Sequence, residues 1–256
     1  MQGVRNFRDI GGHLTATGAR VRTGRIYRAG HLANATDADL ERLEQLGIGV
    51  VIDFRGPSDI ADEGEDRLPP GARLVSIPMF DPARGADIRT LLYEGPPELI
   101  AETFGEGRAF EAMARSAASL VTDTTRVEQY GDMLRTIITA DAPTIIHCSA
   151  GKDRTGWAAS LMLLALGVPE RTVIDHYLES NLHRLEQSDR LEQFTRAGID
   201  PSILEPFFGV NEEYKRAALR ALAERWGGID GYLHGGLGIT DTEISRFRDE
   251  MLEPGA

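Results

Sequence analysis

Residues 145–157 combine a thiol, an arginine and a hydroxyl at a spacing suited to phosphoryl transfer. The segment reads Ile145-Ile146-His147-Cys148-Ser149-Ala150-Gly151-Lys152-Asp153-Arg154-Thr155-Gly156-Trp157. A loop of small residues between a strand and a helix directs several backbone N–H groups at one point, where the helix dipole also favours negative charge. Cys148 begins this loop, and the amides and nearby cations favour its thiolate form. The segment therefore predicts an oxyanion-binding loop with a nucleophile at its first position.

Arg154 would complete a phosphate site on this loop. It lies six positions after Cys148 and can hold two phosphate oxygens in a bidentate manner, a geometry that lysine does not offer. The chemistry indicated is attack of the thiolate on phosphorus, which gives a thiophosphoryl-cysteine intermediate. The predicted phosphate-binding residues are Ser149, Ala150, Gly151, Lys152, Asp153 and Arg154.

Breakdown of such an intermediate needs a proton for the leaving oxygen and then an activated water, so a carboxylic acid must lie near the sulfur. Asp153, within the loop itself, is our first choice for this role. We expect the Thr155 hydroxyl to donate to the thiolate or to the departing sulfur. His147 is expected to orient the Cys148 backbone rather than to transfer protons.

Two charged residues, Asp53 and Arg55, end another predicted strand. They either line the pocket or form an ion pair that supports it, and the sequence favours neither alternative. The remaining histidines show no metal-ligand spacing such as His-Glu-x-x-His, and a lone cysteine supplies neither an internal disulfide nor a Cys-rich metal site. We therefore expect no metal and no cofactor. Lys152 is one of only two lysines in the chain, which favours a specific role over a solvated surface charge.

Hydrophobic patterning predicts the elements that position the loop. Short β-branched runs within residues 47–55 and 143–147 indicate buried strands, and residues 21–28 and 73–78 are weaker strand candidates. Helices are predicted after the cap at Thr36, over residues 126–140, and from Trp157 to a stop at Gly167. Pro169 is expected in the first turn of a further helix. The pattern Thr240-Asp241-Thr242-Glu243 predicts a capping box on the last helix.

Alternation of helices with a few strands predicts an α/β fold with a central, mostly parallel sheet flanked by helices. The pattern is less regular around residues 82–125, which look inserted. Within that region the Ala-rich stretch from Arg108 to Val121 favours a helix. We expect a single phosphatase domain over residues 1–256.

The motif His-Cys-x5-Arg-Thr resembles the cysteine-dependent phosphatase signature. The longer run from His147 to Gly156 is similar to the bacterial tyrosine-phosphatase family that includes mycobacterial protein tyrosine phosphatase B. Further segments resemble that family, namely Asn6-Phe7-Arg8-Asp9-Ile10-Gly11-Gly12, Tyr27-Arg28-Ala29-Gly30-His31-Leu32, Val51-Ile52-Asp53-Phe54-Arg55, Gly231-Tyr232-Leu233 and Ile239-Thr240-Asp241. The resemblance covers nearly the whole chain, apart from the inserted region and residues 178–214.

The resemblance implies a cysteine-phosphatase-like fold, no metal, and hydrolysis of phosphomonoesters on proteins, with phosphoinositides also accepted in some relatives. It implicates Lys152 and Asp153 in substrate binding and catalysis, and suggests that the helix near Arg108 forms a lid over the site. The chain lacks the Trp-Pro-Asp acid loop of the classical eukaryotic tyrosine phosphatases. Asp81, after a predicted strand end and before a proline, is therefore the remote alternative to Asp153 as the general acid.

Two other classes of function use the same loop. A non-catalytic phosphate-recognition module would bind phosphoproteins without turnover, and a thiol redox or sulfur-transfer enzyme would need a partner thiol, since the chain has one cysteine. With 28 basic and 40 acidic residues the net charge is −12, which argues against nucleic acid as a partner. No stretch approaches the roughly 18 apolar residues of a membrane segment. We expect a cytoplasmic protein, although the family resemblance also allows secretion without a signal peptide.

Overall fold

The computed structural model describes residues 1–80, 91–92, 94–183 and 188–254. Its central sheet has five strands, which in spatial order are β1 (Arg8–Asp9), β3 (Ile26–Ala29), β6 (Thr144–His147), β4 (Val50–Asp53) and β5 (Arg73–Ser76). Only the pairing of β1 with β3 is antiparallel. A second small sheet pairs β2 (Arg20–Val21) antiparallel with β7 (Leu252–Glu253). The predicted α/β fold with a mostly parallel sheet is confirmed.

Helices surround this sheet and account for most of the remaining described chain. They are α1 (Asp37–Gln45), α2 (Pro57–Glu63), α3 (Pro97–Phe104), α4 (Arg108–Thr122), α5 (Thr124–Ile138), α6 (Arg154–Ala165), α7 (Glu170–Leu178), α8 (Ser188–Arg196), α9 (Glu212–Trp226) and α10 (Asp241–Met251). Shorter helical turns cover Glu179–His183, Pro201–Leu204, Glu205–Phe208, Ile229–Gly231 and Tyr232–Gly236. No helix in the described ranges is long and apolar enough to cross a bilayer.

The three central strands, β3, β6 and β4, are buried on both faces, as parallel strands covered by helices are, whereas the edge strand β5 is largely exposed. Successive strand residues point to opposite faces. In β4, Val51 joins the cluster that contains Leu43 of α1, whereas Ile52 joins the opposite cluster, which contains Leu134 of α5 and Leu161 of α6. Strand β4 therefore reads as a continuous apolar run, Val50-Val51-Ile52, instead of an alternating one. This packing fixes the sheet between α1 on one side and α5 and α6 on the other.

A third hydrophobic cluster joins α3 and α4 to α9 and to the turn Glu205–Phe208. Phe104 stacks edge-on against Phe207 with their ring centroids 4.9 Å apart, and Met113 of α4 and Tyr214 of α9 belong to the same buried cluster. The helix predicted over 108–121 is thus observed as α4. Its role as a lid stays a prediction.

The predicted single strand over residues 21–28 is wrong. Two short strands, β2 and β3, lie in different sheets, and a turn separates them. The Asp9 carboxylate accepts hydrogen bonds from the backbone N–H groups of Gly11 at 2.7 Å and Gly24 at 2.5 Å, and Gly24 has a φ of +77°. These contacts stop the chain from continuing as one strand.

Pro169 precedes α7 in an extended conformation instead of occupying its first turn, because the helix begins at Glu170. Helix α6 begins at Arg154, three residues before the predicted start at Trp157, and α5 spans Thr124–Ile138 where a helix over 126–140 was predicted. Thr36 and Thr240 form complete capping boxes at α1 and α10, and Gly47 follows α1 with a φ of +69°.

Candidate active site

The predicted phosphate loop lies at the carboxyl end of the central sheet. Strand β6 ends at His147, which pairs with Ala29 of β3 on one side and with Asp53 of β4 on the other. Residues 148–153 then turn directly into α6, which begins at Arg154. The loop therefore emerges between two parallel strands and delivers its backbone to a helix N-terminus, where anions are favoured.

The carbonyl groups of this loop are held on its outer side. The Ser149 carbonyl accepts from the backbone N–H of His31 at 3.0 Å, and the amide nitrogen of Asn6 donates to the carbonyls of Ala150 at 3.2 Å and Gly151 at 2.9 Å. In contrast, within the described ranges no acceptor is bonded to the backbone N–H groups of these three loop residues. The loop thus leaves a set of open donors, the arrangement that an oxyanion requires.

Gly151 permits the closest approach of the loop to the sheet. Its φ is +68°, and a Cβ at this position would lie 2.2 Å from the Ala29 carbonyl oxygen. Both the backbone angle and the lack of space demand glycine. The Gly151 carbonyl also accepts from the buried guanidinium of Arg28 at 2.5 Å.

Arg154 extends from the start of α6 and is 1% exposed. One terminal nitrogen donates to the carbonyls of Phe54 and Met79, both at 3.1 Å, and to the Asp59 carboxylate at 2.8 Å. The other donates to the Ser149 hydroxyl at 3.1 Å. These bonds fix the plane of the guanidinium beside the loop, which is the preorganisation that bidentate phosphate binding needs.

Lys152 reaches away from the loop toward the helical turn Glu205–Phe208. Its ammonium donates to the carbonyls of Phe207 at 2.6 Å and Gly209 at 3.1 Å, and it lies 3.6 Å from the Asp153 carboxylate. The ammonium therefore links the predicted phosphate loop to a segment that contacts α4.

The Asp153 carboxylate lines a small cavity between α4, α6, α7 and α9. Tyr177, Tyr214 and Lys215 line the same cavity, and Cys148 does not. Burial, with a contribution from the charge of Asp153, raises the pKa values of both tyrosines. Asp153 is thus the acidic group at the junction between the loop and this cavity.

A buried ionic network lies behind the loop. The Arg55 guanidinium is 3.0 Å from Asp53 and 2.8 Å from Asp66, and the His147 ring lies 3.0 Å from Asp66 and 3.6 Å from Asp53. Of the two alternatives for Asp53 and Arg55, the structure shows the ion pair. The three metal-capable groups lie close enough to share a cation, but Arg55 already bonds both carboxylates.

The charges in this network support one another. Burial alone would lower the pKa of His147, but its interaction with Asp66 and the charge of Asp53 raise it. Burial likewise opposes ionisation of Asp66, yet the contacts with His147 and Arg55 lower its pKa to about 2. The network is therefore a set of paired ions beneath the strand end.

Two other buried cations near the loop have no carboxylate within ion-pair distance in the described part of the chain. Burial, together with Arg8, lowers the pKa of Arg28 to about 9. Burial also lowers the pKa of Lys215, whose ammonium donates to the Gly156 carbonyl at 3.2 Å and lies over the Tyr177 ring at 4.3 Å.

The fully buried Thr155 hydroxyl has no hydrogen-bond partner among the described residues.

Comparison with known proteins decides the family. Residues 1–253 match the tyrosine phosphatase family. This chain belongs to that family. The phosphatase is 33% identical, over 97% of this chain and 86% of the relative, to a protein from Cupriavidus necator named as a tyrosine-protein phosphatase. It is 29% identical to the triple specificity protein phosphatase PtpB of Mycobacterium tuberculosis over 98% of both chains.

A solved structure of P. aeruginosa TpbA aligns with 75% of this chain and 90% of its own, at 15% identity and a TM-score of 0.36. The similarity to TpbA is weak and carries no argument here. The sequence relatives alone establish a cysteine-dependent phosphatase that acts on phosphorylated substrates.

The structure of the phosphatase brings most of the predicted site residues together. Cys148 is buried at the start of the loop between His147, which ends β6, and Arg154, which begins α6, and the fully buried Thr155 follows in the first turn of that helix. Asp53 and Arg55 lie in the network behind the loop. Asp81 lies outside the described residues.

Several residues that contact the loop were not predicted. Asn6 and Arg28 had a signal only in the segments that resemble the family, and Asp59 reads as an ordinary capping residue two positions after Pro57. Asp66 and Lys215 carry no local signal, because long-range packing brings them to the site.

Proposed function

We propose that this phosphatase hydrolyses phosphotyrosine on proteins, with Cys148 as nucleophile and Arg154 holding the phosphate. The observation that carries the proposal is the loop itself. Its carbonyls are bonded on the outside, whereas the N–H groups of Ser149, Ala150 and Gly151 have no acceptor in the described part of the chain and lie beside a fixed guanidinium. The printed name of PtpB, a triple specificity phosphatase, suggests that phosphoserine and further phosphomonoesters are accepted as well.

In the first step the Cys148 sulfur attacks phosphorus, the sulfur–phosphorus bond forms, and the bond to the phenolic oxygen breaks. The leaving oxygen takes a proton from the acid. In the second step a water oxygen attacks phosphorus, the sulfur–phosphorus bond breaks, and the acid takes back a proton from that water. Orthophosphate leaves and Cys148 is again a thiolate. The open N–H groups and Arg154 stabilise the equatorial oxygens in both steps.

Asp153 is the acid in this proposal. It precedes Arg154 in the loop, and its carboxyl group lies 3.6 Å from the Lys152 ammonium. Lys152, bonded to the carbonyls of Phe207 and Gly209, supports substrate binding through its charge at the edge of the loop. The Thr155 hydroxyl, which lacks a partner within the described chain, donates a hydrogen bond to the sulfur.

The nucleophile is tested with Cys148→Ser, assayed for phosphate release from a phosphotyrosyl peptide. We expect activity to disappear while tungstate, an inorganic oxyanion, still binds, because the N–H groups and Arg154 remain. A variant with full activity would exclude Cys148 as the nucleophile. Trapping with acid should give phosphate bound to the wild-type chain, which has a single cysteine, and none on the serine variant.

The acid is tested by comparing leaving groups. Asp153→Asn should slow hydrolysis of a phenyl phosphate by about 10²–10⁴-fold and that of p-nitrophenyl phosphate much less, because nitrophenolate leaves without a proton. Asp132→Asn, on the exposed side of α5, is the matched control. Equal losses on both substrates would move the role away from Asp153, and the same pair of assays on Asp81→Asn would then test the remote candidate.

Substrate class is tested with equal concentrations of phosphotyrosyl peptide, phosphoseryl peptide and a phosphoinositide in micelles. We expect the highest kcat/KM on phosphotyrosine. A higher value on the phosphoinositide would overturn the proposed preference without affecting the assignment of Cys148.

A further inference from the structure

The outer face of the catalytic loop is held by two residues from the first 28 positions of the chain. We propose that Asn6 and Arg28 are positioning residues, which keep the loop N–H groups directed at the phosphate by binding the carbonyls of Ala150 and Gly151 from outside. This inference rests on the proposed function, since it explains how the oxyanion site is kept open.

Asn6 contacts the loop through its amide group. Its Nδ2 donates to the Ala150 carbonyl at 3.2 Å and to the Gly151 carbonyl at 2.9 Å, and the residue is 2% exposed. Its Oδ1 accepts from Arg8, which also donates to the His176 carbonyl at 2.8 Å. Asn6 has a φ of +55°, a left-handed conformation in which asparagine is among the favoured residues. The amide is therefore fixed from both ends, with its donor side facing the loop.

Arg28 makes the second contact, from strand β3. Its guanidinium donates to the Gly151 carbonyl at 2.5 Å, and it approaches the Ser180 hydroxyl at 3.4 Å. It is completely buried, and no hydrogen-bond acceptor among the described residues bonds its Nε or its other terminal nitrogen. A buried arginine without a carboxylate is costly, so its charge is retained for a reason other than stability.

The effect of these contacts follows from peptide geometry. The N–H and C=O of one peptide unit point in opposite directions. A bond to the Ala150 carbonyl from outside therefore directs the N–H of Gly151 inward. A bond to the Gly151 carbonyl directs the N–H of Lys152 inward in the same way. A unit that flips would present a carbonyl oxygen to the phosphate. One flip therefore replaces an attraction by a repulsion, which for an oxyanion site is a large change.

The test uses Asn6→Asp and Asn6→Gly in the Cys148→Ser background, with tungstate affinity measured by calorimetry. Asn6→Asp retains the acceptor for Arg8 but turns the donor toward the loop into an acceptor that repels both carbonyls. Glycine tolerates the positive φ and removes both contacts. We expect tungstate to bind about tenfold more weakly to the glycine variant and at least as weakly to the aspartate variant. If Asn6 only braced the chain through Arg8, the aspartate variant would bind tungstate better than the glycine variant, and that order would overturn the inference.

The matched control is Asn181→Asp. The Asn181 side chain also donates to a carbonyl, that of Val210 at 2.9 Å, and accepts from the Val210 N–H at the same distance. It should lose stability without a comparable loss of tungstate binding, and an equal loss would contradict a specific role for Asn6. Arg28→Met provides a second variant for the case that the Asn6 variants do not fold, and unchanged tungstate affinity in it would also contradict the proposal.

These outcomes are separable from the proposed function. Tungstate binding in the serine background does not depend on the nucleophile, so a failure of Cys148 as nucleophile appears only in turnover. Conversely, an active wild-type enzyme whose Asn6 variants bind tungstate normally would retain the proposed function and lose this inference.

Discussion

The buried charges on the two sides of strand β6 are arranged in opposite ways. Behind the loop, Arg55 is surrounded by Asp53 and Asp66, and the charges of those carboxylates raise its pKa against the effect of burial. On the side of β3 and α9, Arg28 and Lys215 have no carboxylate within ion-pair distance among the described residues, and burial lowers both pKa values.

This difference separates structural charges from charges available to a ligand. The network around Arg55 is neutralised internally, so it contributes shape and rigidity to the strand end. Unpaired buried cations cost stability and leave a positive potential near the loop, which a phosphate dianion can neutralise. The paired region should therefore respond to substitution mainly in stability, and the unpaired region mainly in anion binding.

The largest expected effect is on the paired side. Arg55→Met removes the guanidinium and leaves Asp53 and Asp66 buried without it, so we expect the free energy of unfolding to fall by about 3–5 kcal/mol. Urea denaturation at pH 7 measures this loss. Arg67→Met is the matched control, because the Arg67 pair with Asp37 is exposed and should contribute less than about 1 kcal/mol. Similar losses in the two variants would contradict the distinction.

The pH dependence of the same network is tested with Asp66→Asn. The folded pKa of Asp66 is about 2, below its unfolded value of 3.8, so its ionisation stabilises the fold above about pH 4 and this stability is lost as the pH falls toward 2. At pH 7 we expect the variant to lose about 2 kcal/mol. The difference from the wild type should vanish near pH 2 in urea titrations. A difference that does not depend on pH would mean that Asp66 acts through packing.

The sequence predicts those parts of the fold and of the site that are determined by residues a few positions apart in the chain. The strands β4 and β6, helix α6, the capping boxes and the loop from Cys148 to Arg154 could be predicted, because apolar runs, caps and small residues act over a few positions. Asn6 and Lys215 could not be predicted as neighbours of the loop. They lie more than 50 positions from it in sequence, and only the packing of the N-terminal segment and α9 brings them there.

The strand predicted over 21–28 shows a second limit. Its residue types suit a strand throughout, but the carboxylate of Asp9, more than ten positions away, binds the N–H of Gly24 and forces a turn. A long-range contact decided the outcome against local propensity.

On the unpaired side, Lys215→Met should change stability at pH 7 by no more than about 1 kcal/mol, since a lost contact with Tyr177 offsets the removal of a buried cation. The folded pKa of Lys215 lies below its unfolded value, so the wild type loses stability as the pH falls from about 10. The variant lacks this group, so its free energy of unfolding should rise relative to that of the wild type as the pH falls. Tungstate should bind about tenfold more weakly to the variant, equal to about 1.4 kcal/mol. The exposed Arg216→Met, next to it on α9, is the control, and a matching loss of affinity there would indicate a general charge effect.

The smallest expected change in stability comes from the Thr155 hydroxyl, which is fully buried and has no partner within the described chain. Thr155→Val removes an unsatisfied polar group with little change of shape, so we expect the free energy of unfolding to stay level or to rise by up to about 1 kcal/mol. Hydrolysis should nevertheless slow by about tenfold, because the sulfur would lose its proposed donor in both steps. Thr155→Ser keeps the hydroxyl and should restore the rate. A stable valine variant with full activity would show that this hydroxyl, although unpaired, serves no ligand, and that lack of a partner does not by itself mark a functional group in this site.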